Sequence, residues 1–152
     1  MKSESGTYVL VMQGKGRQPV RIGKWGQLEV GRGFYLYVGS AFGPGGVLSR
    51  VSRHCREHKA NRWHVDYLRE QTHLRTVWYV HSEERFEHRW ASALEARQET
   101  TAIAGFGCSD CHCLSHLFLV TNAADLDTCR SALPGPVQVT TCSNLLRGKV
   151  SA

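Results

Sequence analysis

No stretch of the chain approaches the roughly 18 consecutive apolar residues that a bilayer-crossing helix needs, which removes a membrane role from the reading. The opening Met1-Lys2-Ser3-Glu4-Ser5 lacks the apolar centre of a secretory signal, so the expectation is a cytoplasmic protein. Internal repeats, low-complexity tracts and domain linkers are missing too. The 152 residues, 41% of them hydrophobic, suit one domain with a real core. Acid is the scarce sign of charge: 13 Asp and Glu stand against 19 Lys and Arg, for a formal charge of +6, and eight histidines add further donors. That balance favours a polyanionic partner, and Arg, the better phosphate fork, outnumbers Lys heavily between Arg50 and Arg89. Six cysteines would allow three disulfides, but a chain with this much apolar material does not need them as a scaffold, so free thiols or metal ligands are expected.

The densest information lies between Gly33 and His54. Phe34 to Val38 is an aromatic and β-branched run that predicts a buried strand, and Gly39 opens a turn rich in Gly43, Pro44, Gly45 and Gly46. Val47, Leu48 and Val51 then recur at helical spacing, with Arg50 and His54 four apart on the neighbouring face. A strand carrying Tyr37 and a helix carrying Arg50 and His54 meet at one corner. Free backbone N–H groups at the helix start and the nearby guanidinium groups would make that corner a seat for phosphate; the competing reading is a tight connection with a solvated basic face.

Elsewhere, Thr7 to Met12 predicts a strand with Tyr8, Leu10 and Met12 on one face. Pro19 to Ile22 and Gln27 to Val30 predict a hairpin, together giving an antiparallel meander. Trp63 to Leu68 suggests a short helix, His73 to Val80 a strand, and Ser82 the N-terminus of a helix whose apolar stripe runs through Phe86, Trp90, Ala93 and Leu94. Leu117 to Val120 and Val137 to Thr140 complete the strands. The expected class is α+β, a small mostly antiparallel sheet flanked by helices, with a core over about 6–120 and a C-terminal extension over 121–152.

Glu87 sits about 100° from Phe86 around its helix, at the edge of the apolar stripe. There it would either face the Tyr37–Arg50 corner and hold one hard divalent ion, or pair with Arg85 or Arg89 as an ordinary surface acid. Cys108, Cys111, Cys113 and His116 offer zinc-capable ligands within nine residues, but the Cys-x-Cys spacing is poor for one tetrahedral site. Buried thiols beside a Ser109-Asp110 turn are the alternative.

Gly6-Thr7-Tyr8, Tyr37-Val38-Gly39, Arg50 with His54, and Glu87, in that order, resemble the GIY-YIG nuclease family over most of Gly6 to Leu94. With Ser40-Ala41, Arg53, Trp63 to Leu68 and Ser109 to Phe118 added, the chain more closely resembles a GIY-YIG-like group of prokaryotic proteins, some fused to a DNA-repair glycosylase of the endonuclease III type. The resemblance implies a single GIY-YIG-like domain and a metal-dependent phosphodiesterase acting on DNA, with a repair protein as partner. Tyr8, Tyr37, Arg50 and Glu87 would be catalytic: Glu87 holding Mg²⁺ or Mn²⁺, Arg50 balancing charge on the phosphorane, and either tyrosine, its phenol lowered by nearby cations, handling the attacking water. Gly39, Ser40, Arg53 and His54 would contact phosphate. Ser109, Asp110, Cys111, Cys113 and His116 lie in a segment that marks the group, and would form a second site in which Asp110 or His116 enters the cleft. Two departures stand out: the interval from Tyr8 to Tyr37 is longer than usual, and no Asn follows the Glu helix in the usual position. A binding module without turnover, and a thiol or zinc regulatory protein, are the competing functions.

Overall fold

Nine residues from Gly6 to Gly14 form β1, and almost all of them are buried. Both faces are covered, so the strand can be apolar at nearly every position, and each fully buried Val or Leu contributes roughly 1.5–3 kcal/mol. Tyr8, Leu10 and Met12 face one core and Val9 and Val11 the other, as period two requires. The computed structural model describes residues 1–57, 59–107 and 113–151.

The hairpin forms as expected from β2 (Gln18–Ile22) and β3 (Gly26–Val30), but it makes its own two-stranded sheet instead of continuing a meander. Val20, Ile22 and Val30 bury it against the first core. The other strands, β4 (Phe34–Ala41), β5 (Thr72–His81), β6 (Thr100–Ala102), β7 (Leu117–Val120) and β8 (Gln138–Thr140), join β1 in a six-stranded sheet of order β6-β7-β4-β1-β5-β8. Every pairing in it is antiparallel, and the domain is α+β.

Two helices, α1 (Gly46–Cys55) and α2 (His64–Arg69), supply Val47, Val51, Val65 and Leu68 to the core on the Tyr8 face. On the opposite face α3 (Glu87–Glu95) buries Trp90, Ala91 and Leu94. The helix starts five residues later than Ser82, whose hydroxyl instead accepts the N–H of Glu84 in a turn. After β7 the chain forms a short 3₁₀ turn, α4 (Leu126–Ser131), β8 and α5 (Cys142–Ser151). The C-terminal part therefore adds an edge strand to the main sheet. Among the described residues no helix is long and apolar enough to cross a membrane.

Cys55 at the end of α1 and Cys142 at the start of α5 form a disulfide with Cα atoms 5.6 Å apart, which corrects the expectation of free thiols or metal ligands for these two residues. Their separation of 87 residues hid the pairing, which depends on α5 folding back over α1 and β5. Linking positions so far apart removes much of the unfolded chain's freedom. Cys142→Ser is expected to lower unfolding free energy by roughly 2–4 kcal/mol, read as a reduced thermal midpoint in a non-reducing buffer; an unchanged midpoint would mean that α5 contributes by packing alone.

Candidate active site

β7 begins at Leu117, opposite Tyr37, whereas β4 runs on to Ala41. Gly39 and Ser40 thus extend past the start of β7, and a cleft of about 420 Å³ opens at that end of the sheet. Tyr37, Ser40, Arg50, Glu87 and His116 line it together with Gly39, Arg62, Trp63, His64, His88 and Gly107. Of the residues expected to be catalytic, Tyr37, Arg50 and Glu87 converge there; of those expected to contact phosphate, Gly39 and Ser40 do.

Tyr8 does not line the cleft. It is 2% exposed, and its hydroxyl shares a 3.0 Å hydrogen bond with His54 Nε2. Burial pushes the phenol well above its ordinary value, helped by Tyr37 and only partly opposed by Arg50, so Tyr8 remains a protonated phenol and the expected lowering by nearby cations is reversed. The register places Tyr8 opposite Gly39, and a Cβ at position 39 would come within 2.6 Å of the Tyr8 ring and hydroxyl. Glycine is required there by the ring's volume.

His54 is likewise buried, 1% exposed, and not available to phosphate. Burial lowers its pKa to about 3, with Arg53, Lys59 and Arg50 acting in the same direction and Asp66 against them. Among the described residues its Nδ1 has no hydrogen-bond partner. Arg53 is engaged elsewhere too: it makes a two-pronged pair with Asp66 at 2.9 and 3.0 Å. The Asp66 carboxylate also accepts the backbone N–H groups of Arg62 and Trp63. Burial alone would raise the Asp66 carboxyl, but these bonds outweigh it and hold it below its ordinary value.

The start of α1 is not an open phosphate seat. Gly46 N–H donates to Gly43, Val47 to Glu4, Leu48 to Lys2 and Ser49 to Gly45, so backbone carbonyls occupy these donors. Gly46, at φ +58, allows the close approach, since a Cβ there would lie 2.4 Å from the Glu4 carbonyl oxygen. Of the two arginines of α1, Arg50 is the one that lines the cleft, and it also interacts with the Tyr8 hydroxyl. Its guanidinium lies 4.4 Å over the Trp63 ring, which Arg53 approaches at 4.3 Å, and its hydrogen bond to the Ser40 carbonyl is long at 3.5 Å. Trp63 as a platform, and His64 and His88 as cleft residues, were given no role from sequence. An aromatic residue flanked by arginines at positions 53 and 62 is the signal that could have found the platform.

Glu87 is the first residue of α3, where the helix dipole favours a carboxylate. His116 Nδ1 lies 3.0 Å from its Oε1. Burial would raise the Glu87 carboxyl, but hydrogen bonds from His116 and Ser40 and the nearby imidazoles of His116 and His88 bring it below its ordinary value, so it is ionised at neutral pH. Glu87 is the one carboxylate among the described residues lining the cleft. A single ionised carboxylate with room for water fits a hydrated Mg²⁺ or Mn²⁺, which keeps most of its sphere as water and phosphate oxygens. His116 does enter the cleft, held by a bond from its N–H to the Phe106 carbonyl and one from Val38 N–H to its own carbonyl, both 2.9 Å. Cys113 is half-buried nearby, whereas Cys108, Ser109, Asp110 and Cys111 lie outside the described residues.

A larger depression of about 480 Å³ beside the disulfide contains Lys15 and Arg69, but their side chains donate to the backbone carbonyls of Glu70, His54 and Thr72. Lys59 and Arg75 line it as well and donate to the Arg56 carbonyl and to the Gln13 side chain.

The profile of the family described as Domain of unknown function DUF123 matches residues 7–135. No curated protein and no solved structure matches the chain.

Two outcomes follow from the buried pair. Because His54 titrates near 3 when folded and near ~6.5 when unfolded, the unfolded state binds the extra proton between these values, and stability falls as pH drops through that window. His54→Gln is expected to flatten the upper part of this acid slope in thermal unfolding, where Asp66 does not yet titrate; an unchanged slope above pH ~4.5 would show that another group carries it. Gly39→Ala, which forces the Tyr8 ring to move, is expected to cost about 1–3 kcal/mol in denaturant unfolding, and a neutral result would contradict the close fit between the two strands.

Proposed function

We propose, for a chain that belongs to the family described as Domain of unknown function DUF123, a metal-dependent endonuclease that hydrolyses phosphodiester bonds in DNA on a GIY-YIG-like fold. The order of Tyr8, Tyr37, Arg50 and Glu87 supports placing the domain with that superfamily, and the fused relatives of the resembled group suggest repair as the setting. The observation that carries the proposal is the convergence of Tyr37, Arg50 and the ionised Glu87 on one cleft.

Arg50, its guanidinium 4.4 Å over the Trp63 ring, offers that group to the non-bridging phosphate oxygens and to the charge that grows on them. Arg62, exposed on the same cleft, extends the positive surface along a nucleic-acid backbone. Glu87 would hold the Mg²⁺ or Mn²⁺, which when bound supplies Lewis-acid polarisation of a phosphodiester oxygen. Of the two tyrosines, Tyr37 reaches the cleft and orients the attacking water. Tyr8, sealed behind Gly39, positions the helix that carries Arg50 through its bond to His54.

One observation favours a second reading, a DNA-binding module without turnover: Glu87 is already bonded to His116 and Ser40, and Tyr8 is locked as a neutral phenol. Both readings keep the same positive surface, so binding alone does not separate them.

Cleavage of supercoiled, nicked, branched and single-stranded DNA with Mg²⁺, Mn²⁺ or EDTA, run beside Glu87→Gln, decides the matter. Metal-dependent cleavage reduced on the order of a hundredfold or more by the substitution, with salt-sensitive binding retained, is the expected result. Binding with no cleavage of any substrate would sink the nuclease and leave the binding module.

A further inference from the structure

We propose that His88, Cys113 and His116 bind one thiophilic divalent ion, Zn²⁺, in the wall of the cleft. Their ligand atoms all lie within 4.8 Å of one another. Two imidazole nitrogens at about 2.0–2.1 Å and one sulfur at about 2.3 Å from a tetrahedral zinc stand roughly 3.3–3.7 Å apart, so a closure of about 1 Å completes the set. His88 can supply that movement, because it is exposed at the second position of α3 while its helix is anchored by Trp90 and Leu94. Its ring centroid is 5.9 Å from that of His116.

The fixed member is His116, 3% exposed and tied by its backbone to both Phe106 and Val38. Its Nδ1 faces the Glu87 carboxylate at 3.0 Å. An Nδ1–H donated to that carboxylate sets the tautomer, so that a metal would be taken at Nε2, and makes the imidazole a stronger donor. Glu87 is thus a positioning residue for this ion. Cys113 supplies the soft ligand that separates the site from the hard-ion chemistry of Glu87, since a thiolate with two imidazoles selects zinc over Mg²⁺ or Mn²⁺. Binding deprotonates the thiol and releases its proton to solvent. Among the described residues three side chains can ligate the ion, and the cleft that His88 and His116 both line gives a water or a substrate oxygen access to it. Nothing in this assignment depends on cleavage: the zinc site stands whether the domain is a nuclease or a binding module.

The test uses the full chain in oxygen-free buffer, with zinc content measured after dialysis against micromolar Zn²⁺ and absorption spectra recorded with Co²⁺ in its place. Wild type is expected to retain one zinc per chain, and its Co²⁺ form to show thiolate-to-metal charge transfer with the intense visible bands of a four-coordinate ion. Cys113→Ser should lose the charge-transfer band, and Glu87→Gln should weaken binding by roughly 10–100-fold. His88→Ala, at an exposed position that does not threaten folding, should lose stoichiometric zinc, while His73→Ala, also exposed, keeps it. Zinc retained in full by His88→Ala, a charge-transfer band unchanged in Cys113→Ser, or no stoichiometric zinc in wild type would each overturn the assignment.

Discussion

Tyr8 and Gly39 face each other across the pairing of β1 with β4, and the ring of one fills the volume a side chain on the other would need. A shift of one residue in that register would turn the ring to the other face of the sheet and put a Cβ against it. Much of the site depends on this fit. It leaves Tyr37 two residues back on β4, on the same face, and sends the Tyr8 hydroxyl to His54, which anchors the helix carrying Arg50. It also lets β4 extend past the start of β7, and that extension is the floor of the cleft.

The opposite wall comes from a different source. Glu87 begins α3, and α3 is held by Trp90, whose indole N–H donates to the Pro134 carbonyl at 2.8 Å. The second core therefore sets the height of the carboxylate above the sheet, while the first core sets Arg50. The two groups of opposite charge reach one cleft because both cores are built on the two faces of the same strands, β1, β4, β5 and β7. His116 arrives from a third direction, on the segment entering β7, and its bond to Glu87 joins the start of that strand to the helix.

The strands were legible because their apolar runs are local: Thr7 to Met12, Phe34 to Val38, His73 to Val80 and Leu117 to Val120 each lie inside the strand observed. So was the arrival of Tyr37, Arg50 and Glu87 at one place, through the order of the motifs. What escaped the sequence was set by distant contacts. His54 reads as a donor beside an arginine, yet Tyr8, 46 positions away, draws it inward. Arg53 reads as a phosphate ligand until Asp66 on the next helix claims both its prongs. The glycine-rich turn promised free N–H groups, but Lys2 and Glu4 from the N-terminal segment cap them. His88 carried no signal, because the cysteine and the histidine that stand near it lie on the far side of β6 in sequence.

These engaged side chains also shape the surroundings of Arg50. Asp66 accepts the Trp63 and Arg62 N–H groups and fixes the start of α2, and Arg53, held by the same carboxylate, also lies against the Trp63 ring. Arg50 lies 4.4 Å over the same ring, and this contact leaves its fork less rotamer freedom to lose on binding. A lysine at position 50 would keep the charge but not the stacking or the fork. The basic cluster is thus a division of labour in which Arg53 is held against a buried carboxylate while Arg50 lines the cleft.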